Sequence, residues 1–154
     1  MSTELGLHNL QVLDELEEGD IVKFKRGWFS HCGVYVGNGD IVHLTGDSQT
    51  EQLGSANGSS FVKIENFWDV ADKSKASKCN TDGGNFRPLD KETIVNRAMS
   101  RLGYNGDYHV IFKNCEHFAN WCRYEIEHSY QANAVLGTLA AVGFFIGAKF
   151  LGLR

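Results

Sequence analysis

The sequence has 154 residues, a length that fits one domain with its own buried core. It carries 15 basic and 19 acidic residues, giving a formal net charge of -4, which excludes the strongly basic class of nucleic-acid-binding proteins. The first twenty residues lack the basic start and apolar centre of a secretory signal, so we expect a cytosolic domain whose four cysteines are thiols.

The N-terminal segment, residues 1–18, predicts a short peripheral helix. Leu10, Leu13 and Leu16 recur at helical spacing, and Gly19 follows as a stop signal. We therefore expect the main domain to begin after this segment.

Residues 20–44 predict the start of an antiparallel sheet. Apolar and charged side chains alternate in the first stretch, which is typical of a half-buried strand. Two further apolar stretches are joined by a glycine-rich turn at Asn38 and Gly39, the strongest hairpin signal in the chain.

The middle of the chain alternates loops with one more strand and a helix. Residues 45–60 are polar and rich in Gly and Ser, which predicts a long loop, and residues 61–70 predict a strand. A second loop is expected over 71–87. Asp90 can cap a helix over 90–102. The apolar face of that helix carries Ile94, Val95, Ala98 and Leu102.

The run FKNCEHFANWC, residues 112–122, follows a short extended stretch, YHVIF, and predicts a helix that Asn114 caps. Cys115 then lies in the first turn, where unpaired backbone N–H groups and the helix dipole lower a thiol pKa. It is thus a candidate nucleophile, and a packed core thiol is the alternative. One apolar face is formed by Cys115, Phe118, Ala119, Cys122 and Ile126.

The C-terminal tail is almost wholly apolar. Residues 129–148 contain no Asp, Glu, Lys or Arg, which indicates a membrane-anchoring helix near the lower length limit for a span. Gly143 and Gly147 have the spacing of a close helix-helix contact. A buried core helix is the alternative.

Two histidines in the predicted hairpin, His31 and His43, are candidate partners for the thiol, because a nucleophilic cysteine needs a base and an orienting group. With a strict two-residue turn they face opposite sides of the sheet. With a three-residue or bulged turn, His43 falls opposite Gly33 and the histidines share a face, and we predict this second register. A zinc site built from His31, His43 and Cys115 is a chemically allowed alternative.

The block EEGDIVKFKRGWFSHCGVYVGNGDIVHL, followed later by KNCEHFANWCRY, resembles the lecithin retinol acyltransferase-like superfamily, and more specifically its phospholipase A and acyltransferase, or H-Ras-like suppressor, family. The likeness covers about residues 18–126. It implies an α+β, circularly permuted papain-like fold, with an antiparallel sheet packed on helices and a C-terminal apolar helix. By the same resemblance, Cys115 is the nucleophile, His31 its base and His43 the third, orienting residue, with no cofactor or metal.

This resemblance also implies an activity. We expect residues 19–128 to form a phospholipase A and acyltransferase domain that acts on glycerophospholipids through an acyl-thioester on Cys115. The acyl acceptor would be water, an amine, a hydroxyl or a lysophospholipid. Residues 129–154 would anchor this cytosolic domain to a membrane by a single helix, and no nucleic-acid partner is expected. The alternatives are a cysteine amidase or peptidase, and a non-catalytic, membrane-tethered interaction protein.

Two further side chains near the hairpin are of interest. By the resemblance Arg26 could meet a phosphate group, and a solvated charge at a strand end is the alternative. Tyr35 shares the predicted His31 face, and we expect a packed aromatic rather than a group that acts on substrate.

Overall fold

The computed structural model describes residues 2–46, 60–103 and 114–125. Most of the predicted 45–60 loop, the YHVIF stretch and the apolar tail lie outside these residues. The helices are α1 (Thr3–Glu15), α2 (Phe67–Ala71), α3 (Lys91–Ser100) and α4 (Cys115–Arg123). The strands are β1 (Ile21–Arg26), β2 (Phe29–Gly37), β3 (Asp40–Gly46), β4 (Ser60–Asn66), β5 (Lys75–Lys78), β6 (Arg87–Pro88) and β7 (Tyr124–Glu125).

The main sheet has five strands in the order β4-β3-β2-β1-β5, and every neighbouring pair is antiparallel. Helices α3 and α4 contact β2 and β3, whereas α1 contacts β5 and α2 contacts β3 and β4. This is the predicted α+β arrangement of an antiparallel sheet packed on helices. Among the described residues, those up to Thr81 and from Pro88 to Tyr124 form one compact unit, and Asp82–Arg87 and Glu125 belong to a second.

The β2-β3 hairpin has the bulged register that the sequence predicted. Its two-residue turn, Asn38-Gly39, has positive φ at both positions, as the twist of a tight hairpin requires. The register then shifts by one residue between Gly37 and Tyr35, and Tyr35 pairs with Ile41. Continued along the strand, this register brings His43 opposite Gly33.

Helix α1 begins after its Ser2 cap. The residues that it buries are not the ones that the spacing of the leucines predicted. Leu16 is buried, but the Leu10 side chain is 45% exposed, and Asn9 is the residue that the helix buries completely. The Asn9 amide donates to the Ser74 carbonyl at 3.0 Å and its oxygen accepts from the Ala76 N–H at 2.9 Å. The helix therefore binds the β5 segment through polar contacts, which the spacing of apolar residues in the sequence does not predict.

Several predicted boundaries are wrong. The loop expected over 71–87 contains β5, a strand that pairs with β1 and was missed because its four residues bury only one side chain. The strand expected over 61–70 ends at Asn66, whose side chain caps α2 by accepting from Trp68 N–H. The helix of the cysteine motif ends at Arg123, before Ile126. None of the helices in the described part of the chain is long and apolar enough to cross a membrane.

The helix predicted over 90–102 is α3. Asp90 is its cap, as expected, and accepts a hydrogen bond from Thr93 N–H. The helix ends at Ser100, and Gly103 beyond it has a φ of +82°, a left-handed conformation that favours glycine after a helix.

Candidate active site

Cys115 is the first residue of α4, where the sequence predicted it. The Asn114 side chain caps the helix by accepting from the His117 N–H at 2.8 Å. Cys115 is partly exposed, whereas Phe118 and Cys122, further along the same helix, are buried. The thiol therefore lies at the positive end of the helix dipole, in a residue that is not fully buried.

The backbone N–H of Cys32 donates a hydrogen bond to the Cys115 sulfur at 3.3 Å. This amide is available because of the β1-β2 hairpin, whose two-residue turn makes Arg26 and Phe29 a hydrogen-bonded pair. Bonded and non-bonded pairs alternate along an antiparallel ladder, so Cys32 falls in a non-bonded pair and its N–H points away from β1. On the other side of β2, the pairing with β3 ends at Val34. The Cys32 N–H is therefore not used in that ladder and can donate to the Cys115 sulfur.

The pKa of the Cys115 thiol is lowered well below its ordinary value. The largest cause is a hydrogen bond with the Cys32 thiol; burial opposes it, and a hydrogen bond with His31 and the charge of that imidazole lower the pKa further. The same hydrogen bond, together with burial, raises the pKa of Cys32. Of the two thiols, Cys115 is therefore the one that ionises.

His31 and His43 meet in the interior, as the register predicts. His31 Nε2 lies 2.7 Å from His43 Nδ1, and the rings meet edge to face with their centroids 4.9 Å apart. Both histidines are buried. A Cβ added to Gly33 would lie 2.4 Å from Ile41 Cγ2 and 3.1 Å from the His43 Cβ, so the absence of a side chain there makes room for the pair.

Glu65 extends this series of contacts and was missed by the sequence analysis. Its Oε1 lies 2.9 Å from His43 Nε2, and Lys63 Nζ approaches the same oxygen at 3.7 Å. Glu65 lies on β4, whose register with β3 is set across a long polar connection and not by a short turn. The one available sign was a carboxylate within a predicted strand near the histidine hairpin.

A groove of about 900 Å³ borders the outer end of this chain of contacts. Its lining includes His43 and Glu65, the aromatic side chains of Trp28 and Phe61, and basic Lys25 and Lys73. Trp28, at the β1-β2 turn, is 77% exposed. The groove is thus amphipathic and opens beside the His43-Glu65 pair.

The two side chains of secondary interest have structural partners. Arg26 Nη2 donates to the Val70 carbonyl at 2.7 Å, and the side chain also lines the groove. The Tyr35 hydroxyl accepts from the Gly39 N–H at 3.1 Å and the ring packs against the core, as expected for a packed aromatic.

Other cysteine and histidine side chains of the chain have different surroundings. Cys122 is buried, and burial raises the pKa of its thiol. His8 Nε2 lies 2.9 Å from the Ala76 carbonyl oxygen, while His109 and His128 lie outside the described residues. His31 and His43 direct a nitrogen at each other rather than at a common point, and across 2–46, 60–103 and 114–125 no cluster of three metal-ligand side chains occurs.

Comparisons with known proteins identify sequences that are similar to this chain. The sequence model of the family described as "Lecithin retinol acyltransferase" matches residues 14–128. Proteins named "Phospholipase A and acyltransferase 3" from Pongo abelii and Homo sapiens are 32% and 31% identical to the chain, over 90% of this chain and 90% of each relative. The human "Phospholipase A and acyltransferase 2" is 30% identical over 88% of both chains.

Proposed function

The chain belongs to the lecithin retinol acyltransferase family, and on that premise we propose that it is a thiol-dependent phospholipase A and phospholipid acyltransferase. The names of its relatives support the activity and the phospholipid substrate. The observation that carries the assignment is the Cys115 thiol at the start of α4, which accepts a hydrogen bond from the Cys32 N–H at 3.3 Å, beside the His31–His43 pair. The lowered pKa of this thiol supports the same assignment.

Catalysis begins with attack of the Cys115 thiolate on an ester carbonyl of the phospholipid. The tetrahedral intermediate collapses to an acyl-thioester on Cys115, and the lysophospholipid leaves as an alcohol with a proton from the His31 imidazolium. In the second step neutral His31 takes a proton from the acceptor, whose oxygen or nitrogen attacks the thioester and restores the thiolate. Water gives a fatty acid; an amine, a hydroxyl or a lysophospholipid gives acyl transfer.

His43 is the orienting residue of this scheme. Its Nδ1 lies 2.7 Å from His31 Nε2, so it holds the His31 ring by one nitrogen and leaves the other nitrogen for the thiol. Buried surroundings strengthen such a hydrogen bond and keep the ring in a single orientation.

We extend the proposal to the fold and the tail. The order of the residues, with both histidines before the cysteine, is that of a circularly permuted papain-like domain. The apolar residues 129–148 then serve as a single membrane anchor for a cytosolic catalytic domain. An anchor raises the effective concentration of lipid at the site, because substrate and enzyme share one surface.

The test is to trap the acyl-enzyme. The 154-residue chain is incubated with a glycerophospholipid in mixed micelles, quenched with acid, and searched by mass spectrometry for an acyl group on Cys115. We expect the adduct in the wild type and in Cys122→Ser, and neither adduct nor lipid turnover in Cys115→Ser.

Two results would contradict the proposal. Lipid turnover that persists in Cys115→Ser would show that another group carries the reaction. A wild-type chain that acylates no residue and turns over no phospholipid would favour a non-catalytic protein, and cleavage of amide substrates alone would favour an amidase.

A further inference from the structure

Glu65 lies at the end of a series of hydrogen-bond contacts that runs through both histidines toward Cys115. His43 Nδ1 lies 2.7 Å from His31 Nε2, and Glu65 Oε1 lies 2.9 Å from His43 Nε2. His31 precedes Cys32, whose backbone N–H donates to the Cys115 sulfur at 3.3 Å. Three consecutive strands of the sheet, β2, β3 and β4, each supply one of these side chains. The carboxylate makes no contact with the thiol, so any effect on Cys115 passes through the two rings.

The chemistry of each group fixes where the protons lie. A carboxylate accepts hydrogen bonds and has no proton to give, so His43 must carry its proton on Nε2. Neutral His43 then has a bare Nδ1, which accepts from His31. His31 must therefore carry a proton on Nε2, and its Nδ1 is the nitrogen left to exchange a proton with Cys115.

We propose that Glu65 is a positioning residue that sets the tautomers of His43 and His31 and so presents a basic nitrogen of His31 to Cys115. This rests on the proposed function, since it assigns His31 as the base. Without Glu65, a proton on His43 Nδ1 could be donated to His31 Nε2. His31 would then carry its own proton on Nδ1 and could not take one from the thiol, and a tautomer error of this kind is severe in catalytic triads.

Other charged groups face the same space. Lys63 is 3.7 Å from Glu65 Oε1, and the groove beside it is also lined by Lys25, Arg26 and Lys73 and by the acidic Asp69 and Asp72. None of the six takes the place of Glu65 at the His43 hydrogen bond, which the Glu65 oxygen makes. These six charges act on the Glu65 carboxylate through their electric fields, whereas the Glu65 oxygen contacts His43 Nε2 directly at 2.9 Å.

The experiment compares Glu65→Leu, which removes the acceptor, with Glu65→Gln, whose amide oxygen can still accept from His43 Nε2 but carries no charge. The full 154-residue chain is labelled with ¹⁵N at histidine, and NMR reports which nitrogen of His43 is protonated. In the wild type and Glu65→Gln we expect the proton on Nε2. In Glu65→Leu we expect it to move wholly or partly to Nδ1.

Turnover of a phospholipid in mixed micelles gives the second readout. We expect kcat/KM to fall by roughly 100-fold in Glu65→Leu and by less than about 10-fold in Glu65→Gln. The reason is that only Glu65→Leu removes the acceptor that keeps the His43 proton on Nε2. Glu92→Leu, the same change at an exposed position on α3, is the matched control and should keep wild-type turnover. Thermal unfolding of all three variants shows whether each is folded.

The outcomes separate this inference from the proposed function. If the His43 proton stays on Nε2 in a folded Glu65→Leu variant, or if kcat/KM changes no more than in Glu92→Leu, the positioning role is wrong. If Cys115→Ser keeps its turnover, the proposed function fails, whereas the proton position on His43 is still measured. Because Glu65→Gln keeps the acceptor, a shift of its His43 proton to Nδ1 would also overturn the inference.

Discussion

At the scale of single residues, two cysteines in contact have opposite acidities. Cys115 lies at a helix N-terminus beside His31, while Cys32 is buried in a strand, and the hydrogen bond between their thiols lowers the pKa of one and raises that of the other. The nearby Glu116 charge adds to the rise at Cys32. The same contact thus favours ionisation of Cys115 and opposes ionisation of Cys32, although the side chains are chemically identical.

The first prediction concerns the pH dependence of Cys115 alkylation. A lowered pKa keeps the thiolate present at lower pH, so the alkylation rate by iodoacetamide should stay nearly constant from pH 8 to pH 6. An ordinary thiol with a pKa of about 8.5 loses roughly tenfold in thiolate for each unit over that range. Mass spectrometry of the alkylated Cys115 peptide gives the rate.

Variants at Cys32 test the cause. Cys32→Ala removes the largest contribution to the lowered pKa, so the alkylation profile of Cys115 should shift to higher pH, and Cys32→Ser, which retains a donor, should shift it less. Cys122→Ser is the control and should leave the profile unchanged. A wild-type rate that falls tenfold per unit below pH 8 would contradict the assignment of a thiolate.

At the scale of elements, the β2-β3 hairpin determines whether the histidines can meet. A one-residue change of register would send His31 and His43 to opposite faces of the sheet. The bulge between Gly37 and Tyr35 sets the register that brings them together, and the missing side chain at Gly33 leaves space for His43. The Asn38-Gly39 turn, the bulge and Gly33 are therefore all needed for the contact between His31 and His43.

The second prediction is that Gly33→Ala impairs both folding stability and turnover. The added methyl group would lie 2.4 Å from Ile41 Cγ2 and 3.1 Å from His43 Cβ, so the strands must move apart. We expect about 1–3 kcal/mol of lost stability, as for other overpacked interiors, and at least a tenfold loss of lipid turnover. Chemical unfolding and a turnover assay measure the two effects.

Ser30→Ala is the matched control, because Ser30 is an exposed residue on the same strand. Its free energy of unfolding should stay within about 0.5 kcal/mol of the wild type. A Gly33→Ala protein with wild-type stability and turnover would show that the close approach of His43 to Gly33 has no role.

The contrast between the histidine hairpin and Glu65 shows what sequence can predict. The hairpin is local: Asn38-Gly39 and the alternating apolar residues predict both strands and limit the register to two alternatives, of which the bulged one is observed. Glu65 depends on the register of β3 with β4, and the intervening polar stretch is too long for its turn residues to fix that register. The role of Cys32 depends on a backbone amide that meets a helix from another part of the chain, which no local pattern reports.

At the scale of the whole molecule, the catalytic assembly draws on distant parts of the sequence. The histidines and Glu65 come from consecutive strands in the first half of the compact unit, and Cys115 comes from α4 near its end. A buried cation secures α4 to the start of the sheet: Arg123 Nη1 donates to the Gly19 carbonyl at 2.9 Å and lies 3.6 Å from Asp20 Oδ1. Both ends of α4 are therefore fixed, one by Cys115 and the other by Arg123.

The third prediction addresses the proposed membrane anchor. Removal of residues 129–154 should reduce turnover of phospholipid in vesicles by at least tenfold, because the enzyme no longer shares a surface with its substrate. Turnover of a dispersed short-chain phospholipid and alkylation of Cys115 should not change. Turnover assays on the two substrates measure the difference.

Replacement of the tail by an unrelated apolar spanning segment provides the control and should restore activity on vesicles. Equal loss on both substrates would instead assign the tail to the structure of the catalytic domain. Full activity on vesicles without the tail would rule out its role as an anchor for catalysis.

The hydrogen bond from the Cys32 amide to the Cys115 sulfur joins residues that are 83 positions apart. Contacts of such long separation form slowly, because a large loop of chain must first close. Until then Cys115 has the ordinary acidity of a thiol in an unstructured chain, and few of its molecules are ionised at neutral pH. In a newly synthesised polypeptide the Cys115 thiol is thus mostly protonated and weakly reactive. It becomes a reactive thiolate only when folding has brought Cys115 next to Cys32.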